Sequence, residues 1–268
     1  MVQNQKLKTA SNSPPAYNGG ITIKSLQEIE AMRRAGGVVA GTLAKLKAAV
    51  QPGVTTKDLD DLANQEIRKQ NGTPTFKGYR GFPGTICASI NHEIVHGIPS
   101  KRALKEGDIL KMDVGATVDG FIGDAAVTVA VGNVSDEALR LIEITRQCLQ
   151  IGIKAALEGA RTGDIGAAVE AHAGAQCFSV VREYVGHGVG RFLHEDPQVP
   201  NYGPPGRGAL LRKGMAIAIE PMVNIGDWKT KLLDDQWTIV TADGSLSAHF
   251  EHTVLITDGE PEILTGII

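Results

Sequence analysis

Four carboxylates in this chain stand where they could hold metal ions. Asp113 lies inside the apolar run Ile109-Leu110-Lys111-Met112-Asp113-Val114. An acid there is costly unless it is paired, hydrogen-bonded or metal-bound. Asp119-Gly120 is a two-residue turn signal between strand-like segments at 109–116 and 121–131. Such a turn sets Val118 opposite Phe121 and Asp113 opposite Ala126. Residues two apart share a face, so Asp124 falls diagonally beside Asp113, about 7–8 Å away along the backbone. Glu220 ends the run Ala216-Ile217-Ala218-Ile219, and Glu251 precedes Thr253-Val254-Leu255-Ile256. A single acid of this kind is most simply a strand-end carboxylate satisfied by backbone N–H groups. Four in matched positions favour a metal site, because their charge balances two divalent cations. Carboxylates with imidazole suit Mn, Fe, Co or Zn better than thiolate-loving ions. Paired ions generate a hydroxide nucleophile and polarise a carbonyl.

The chain has seven histidines. His92-Glu93-Ile94-Val95-His96 fits the H-E-x-x-H pattern of zincin proteases, which requires a helix. Pro83 and Gly84 upstream, Gly97 and Pro99 downstream, and the β-branched Thr85, Ile86, Ile90, Ile94 and Val95 oppose one. In Gly186-His187-Gly188-Val189-Gly190 the glycines let the backbone approach closely and aim the ring. No helix is expected to begin there, so the motif is not a dinucleotide loop. His194 either faces the same cavity or lies in a surface turn. His172 is expected to be solvated on a helix. His249 and His252 flank Glu251 and are expected on the opposite face. Cys87, Cys148 and Cys177 lack ligand spacing and are assigned to core or pocket lining.

The elements that must position these groups repeat. Ser25-Leu26-Gln27-Glu28 is a capping box opening a helix, and Pro52-Gly53 stops it. Thr55 or Thr56 opens a second helix; loops and short strands fill 73–99. Ser135 starts a helix to about Glu158, and Thr162 precedes another. Strand-like segments follow at 178–186, 215–223, 237–241 and 247–257. Gly53 to Leu59 matches Gly159 to Ile165, His96-Gly97-Ile98 matches His187-Gly188-Val189, and Leu104 to Gly107 matches Leu211 to Gly214. That register places Asp113 against Glu220 and Asp124 against Glu251. Two half-repeats follow, roughly 25–132 and 135–260.

Composition narrows the class. The 268 residues carry 27 basic and 30 acidic groups, a net charge of −3 that gives no field for nucleic acid. Three cysteines do not make a disulfide scaffold and fit a reducing compartment. No apolar run is long enough to span a bilayer, and residues 1–20 lack a signal-peptide core. A flexible tail at 1–20 on a cytoplasmic protein is expected, with 21–268 as one catalytic domain. Glycine is abundant at 32 residues, and aromatics are scarce at 4%, which leaves few candidates to line a pocket.

Taken together, Gly81-Phe82-Pro83, Ser89-Ile90-Asn91, His96-Gly97-Ile98-Pro99, Asp113-Val114, Gly123-Asp124, the glycine-flanked His187, His194-Glu195, Ile219-Glu220-Pro221-Met222 and Glu251-His252-Thr253 resemble type I methionine aminopeptidases across about residues 21 to 264. The resemblance implies an α+β pita-bread fold, with two pseudo-symmetric halves around a dinuclear metal site. It implies Asp113, Asp124, His187, Glu220 and Glu251 as ligands, with Asp124 and Glu251 bridging two divalent ions. It assigns His96 to the substrate amine and scissile amide, His194 to the peptide carbonyl, and Glu220 to general-base duty. A methionine pocket of Tyr79, Phe82, Cys87, Leu193 and Trp237 is implied, and a thioether suits such an aromatic wall. The expected activity is removal of the initiator methionine from nascent polypeptides, a metal-bridging hydroxide attacking the first peptide bond. A monomer is expected, with the ribosome as a candidate contact. His249 replaces a common Gln, Leu193 a common aromatic and Phe76 a common Cys, which bears on pocket width. Two alternatives stand beside this: an Xaa-Pro peptidase of the same fold, which usually carries a further N-terminal domain, and the zincin using His92 and His96.

Overall fold

The computed structural model describes residues 19–266, so residues 1–18 of the expected tail lie outside the described residues. Helices α1 (Leu26–Ala49) and α2 (Thr56–Lys69) open the first half. The Glu28 carboxylate accepts from the Ser25 N–H at 2.9 Å while the Ser25 side chain accepts from the Glu28 N–H, the expected reciprocal cap. Thr55 and Asp58 cap α2 in the same way. Strands β1 (Thr73–Pro74), β2 (Ile86–Ile90), β3 (Glu93–Val95), β4 (Ile109–Val118) and β5 (Phe121–Ala130) follow, with a 3-10 turn at Tyr79–Gly81.

The second half repeats the order with α3 (Asp136–Ala155) and α4 (Thr162–Ala175). Its strands are β6 (Ser179–Val180), β7 (Gly186–Gly188), β8 (Glu195–Val199), β9 (Ala216–Ile219) and β10 (Met222–Asn224). They continue as β11 (Thr230–Leu232), β12 (Ile239–Thr241), β13 (Ser247–His249), β14 (Glu251–Leu255) and β15 (Glu262–Ile263). The repeat reaches single hydrogen bonds. Gly53 N–H donates to the Leu104 carbonyl at 2.8 Å, and Leu104 N–H donates to Val54 at 2.8 Å. In the second half Gly159 donates to Leu211 at 3.0 Å, and Leu211 to Ala160 at 2.8 Å.

A nine-stranded sheet runs β1-β4-β5-β14-β9-β7-β8, with β2 on β4 and β15 on β14. The β5–β14 pairing joins the two halves at its centre, where Glu251 pairs with Ala126. Val39, Leu43 and Leu46 of α1 pack on Ile86, Leu110, Met112 and Val114. Leu149 and Ile153 of α3 pack with Ile165 of α4 on Ile217 and Val254. Each such side chain, fully buried, stabilises the fold by about 1.5–3 kcal/mol.

Two expected strands are broken, one at a site residue and the other immediately before one. The segment 215–223 splits at Glu220-Pro221: β9 stays in the large sheet, while β10 joins a three-stranded sheet ordered β13-β10-β6. Pro221 has no N–H to continue the ladder. The segment 247–257 splits at Phe250, with β13 in the small sheet and β14 in the large one. Glu220 and Glu251 therefore sit where chains cross between sheets. Of 178–186, only Ser179–Val180 pairs before Gly186 opens β7. Helix α3 ends at Ala155, short of the expected Glu158, and Gly159 follows at a φ of 85°.

Candidate metal centre and active site

The β4–β5 hairpin has the expected register, with Val118 opposite Phe121 and Asp113 opposite Ala126. Ala126 also pairs with Glu251, and Asp113 with Cys87. One row across β2, β4, β5 and β14 thus reads Cys87, Asp113, Ala126, Glu251. Asp124, two residues from Ala126, shares that face. Glu220 follows Ile219, whose partner is His252, so it arrives beside Glu251. Ligand atoms of Asp124, His187 and Glu251 lie within 4.8 Å of one another. Glu220 Oε1 is 3.4 Å from His187 Nε2.

These acids are buried and incompletely partnered. Asp113 Oδ1, Asp124 Oδ1 and Glu251 Oε1 have no hydrogen-bond partner among the described residues. Burial pushes the Asp113 carboxyl up to about 7. It pushes Asp124, Glu220 and Glu251 well above the usual carboxylate range, and the neighbouring acids add to the rise. Four carboxylates this close cannot all ionise without a cation among them. Orphaned buried oxygens beside an imidazole are a donor set that fits a divalent ion.

His187 is oriented for the same purpose. Its Nδ1 donates to the Gly188 carbonyl at 2.9 Å, which leaves the Nε2 lone pair facing Glu220. Burial lowers its pKa to about 4, so the ring is neutral near pH 7. His194 lies against His187 with the rings tilted 51° and centroids 4.3 Å apart, and its Nδ1 lies 2.8 Å from the Tyr79 hydroxyl. A hydroxyl donating there leaves the proton on Nε2. Burial lowers His194 to about 3, with the neighbouring His187 adding to the fall. His96, at a φ of 60°, packs edge-on against Tyr184 with centroids 5.9 Å apart. Its arm lies so close to β2 that a Cβ on Gly97 would sit 2.5 Å from the Ala88 carbonyl oxygen.

A cavity of about 290 Å³ opens on this row. All five expected ligands border it, as do His96, His194 and the expected pocket residues Tyr79, Phe82, Cys87, Leu193 and Trp237. Phe82 and Trp237 meet edge-on at 5.1 Å. Phe76, Arg80 and Tyr184 also border it and were not assigned to the pocket from sequence. Phe76 carried a signal, since it replaces a smaller residue common in similar sequences.

Several expectations are corrected. His249 does not point away from Glu251. Its Nε2 lies 3.8 Å from Glu251 and 4.0 Å from Glu220, at the point where the chain crosses from the small sheet to the large one. His252 does turn away, and its Nδ1 lies 2.8 Å from the Thr265 hydroxyl. His172 is half-buried and bonds Gln147 at 3.0 Å. Cys87 and Cys148 are buried, but Cys177 is exposed. His92 lies on a turn before β3, its carbonyl accepting from Thr241, while Glu93 accepts from Ile90 N–H and pairs with Arg102. The H-E-x-x-H match is therefore a strand, not a helix. Lys111, two residues from Asp113, was not singled out. It is 2% exposed and donates to the carbonyls of Asn91 at 2.6 Å and Ser247 at 3.0 Å.

A two-half α+β frame with buried carboxylates at its centre defines a metallohydrolase class, and comparison with known proteins agrees. The model of metallopeptidase family M24 matches residues 30–258, and the chain belongs to that family. The chain is 51% identical to methionine aminopeptidase 1 of Bacillus subtilis over 247 residues, covering 92% of this chain and 100% of that one. The crystal structure of methionine aminopeptidase from Thermotoga maritima superposes with a TM-score of 0.91 at 48% identity, covering 92% of this chain and 100% of that chain. A prolidase from Pyrococcus furiosus shares the fold alone, with a TM-score of 0.75 at 20% identity over 92% of this chain and 66% of that chain. The pita-bread fold is thus established. Among the described residues, no helix is long and apolar enough to cross a membrane.

Proposed function

We propose that this chain is a metal-dependent aminopeptidase that removes the N-terminal methionine from polypeptides, nascent chains in the cytoplasm being the intended substrate. Residues 21–268 act as one catalytic unit, working as a monomer. The observation that carries the reading is the row of buried, unpartnered carboxylates beside an aromatic-walled cavity. Asp113, Asp124, His187, Glu220 and Glu251 would hold two divalent ions, Mn, Fe, Co or Zn. Bound there, such ions lower the pKa of water and polarise a carbonyl.

The chain's own residues supply the rest. Phe82, Trp237, Tyr79, Leu193 and Cys87 enclose a methionine side chain and exclude water, and the thioether meets aromatic edges. Phe76 narrows that slot. His194, with its proton on Nε2, donates to the peptide carbonyl oxygen as negative charge develops. His96 is kept neutral by burial and serves the scissile amide nitrogen. Glu220 serves as general base and holds the proton taken from water. The test is turnover of Met-Ala-Ser by chelated protein titrated with Mn, Fe, Co and Zn, beside an Xaa-Pro dipeptide. Turnover of the methionyl peptide with at least one ion is expected. Cleavage of the Xaa-Pro substrate alone would overturn the assignment.

A further inference from the structure

One glycine of the Gly186-His187-Gly188-Val189-Gly190 motif is not explained by the metal centre. A Cβ on Gly190 would lie 2.6 Å from Lys24 Cε and 2.7 Å from both Glu195 Oε1 and Lys24 Nζ. The space is filled by an ion pair. Lys24 Nζ stands 2.7 Å from Glu195 Oε2, with the two side chains 5% and 3% exposed. The same carboxylate accepts from the Thr22 hydroxyl at 2.8 Å and from the Phe192 N–H at 3.1 Å. The strap is pinned at both ends. Lys24 N–H donates to the Gly214 carbonyl at 2.8 Å, and Gly20 N–H donates to Asp196 Oδ2 at 2.8 Å. Between them Ile21 forms a parallel bridge with Asp196.

Residues 20–24 therefore cross over the segment 192–196, which presents Leu193 and His194 to the cavity. Residues 192–194 are bends leading into β8, and the Glu195 side chain closes them from within through Phe192. A buried ion pair gives little net stability over apolar packing, but it specifies geometry where several bonds converge on one carboxylate. Here three groups from two distant parts of the chain, Lys24, Thr22 and Phe192, converge on a carboxylate one residue away from His194.

We propose that Lys24 and Glu195 are positioning residues for His194, with the strap 20–24 holding the His194 turn at its catalytic setting. Gly190 is glycine because this pair occupies the place of a side chain. The proposal rests on the role given above to His194, and its test separates the two. K24M keeps chain length and removes the charge. Because a small misplacement of a catalytic group costs up to about 100-fold, kcat for Met-Ala-Ser should fall about 10- to 100-fold. The affinity for Mn, measured by calorimetry, should stay within about 2-fold, since no proposed metal ligand is touched. In an H194A background the same K24M change should cost less than about 3-fold, because residues acting as a unit are not additive. T22V, which removes the hydroxyl's bonds to Glu195 and Lys24 and keeps the ion pair, should show the same pattern at about 2- to 5-fold, and it carries the test should K24M not fold. Equal losses from the strap variant in the two backgrounds, or an unchanged kcat in folded protein, would overturn the positioning role. An unimpaired H194A would instead overturn the role of His194 itself, and with it this inference.

Discussion

The acids and the histidines of this site are held by two different kinds of structure. Asp113, Asp124 and Glu251 project from neighbouring strands of one sheet, in a row set by ladder register. His96 and His194 stand on arms outside that ladder. One is kept close to β2 at Gly97, and the other is clipped by Glu195, Lys24 and Thr22. The sheet gives the acids precision, and it also forces like charges together in a dry place. Protons relieve that conflict in part, and only a cation relieves it with all the acids ionised. The arms carry no such conflict. Their rings are kept neutral by burial; His194 is oriented by one hydrogen bond to Tyr79, and His96 packs edge-on against Tyr184. Chemistry that needs fixed charge is thus built on strands, and chemistry that needs an aimed proton on turns.

This contrast predicts a graded set of losses. D124N strikes the sheet row and should abolish both metal binding and turnover; calorimetry with Mn and a Met-Ala-Ser assay would measure the two together, and retained affinity would break the contrast. H194A strikes an arm. It should lower kcat on the order of 100- to 1,000-fold, as loss of one donor to a developing oxyanion does, while the Mn affinity stays near wild type. H92A lies on a turn whose side chain does not border the cavity. It should change kcat/KM by less than about 2-fold, as substitutions away from special features usually do. Complete loss of activity in H92A would revive the zincin alternative.

The same division explains what could be seen in the sequence. The Asp119-Gly120 turn fixes register by counting, so the Asp113–Ala126 pairing was available before any coordinates. The capping box at Ser25, and the helix–helix–strand repeat, were legible for the same reason, because each is local chemistry at fixed spacing. Glu220 and Glu251 were legible as acids beside apolar runs, but not as crossing points between sheets, because sheet membership depends on distant partners. The role of Pro221 in ending a ladder could have signalled one of those crossings. His249 was misplaced by a parity error on an assumed regular strand, which in fact breaks at Phe250. Lys111 and the Lys24–Glu195 pair gave no signal, because a lysine in an apolar run or near a helix start is ordinary until its carbonyl or carboxylate partner is known.

The measurement that tests the central claim most directly is calorimetric titration of Mn into chelated protein, in two buffers of different ionisation enthalpy. The sign follows from the raised carboxyls. Asp113 moves from 3.8 to about 7, so its contribution to metal-free stability is present below the unfolded value and is lost as pH rises through about 7. Metal takes the place of that proton, and binding must release it. The account predicts two ions per chain, proton release that grows as pH falls from about 8 to about 6, and a Mn-induced rise in Tm that shrinks over the same interval. No binding, with methionine removal that survives exhaustive chelation, would contradict it.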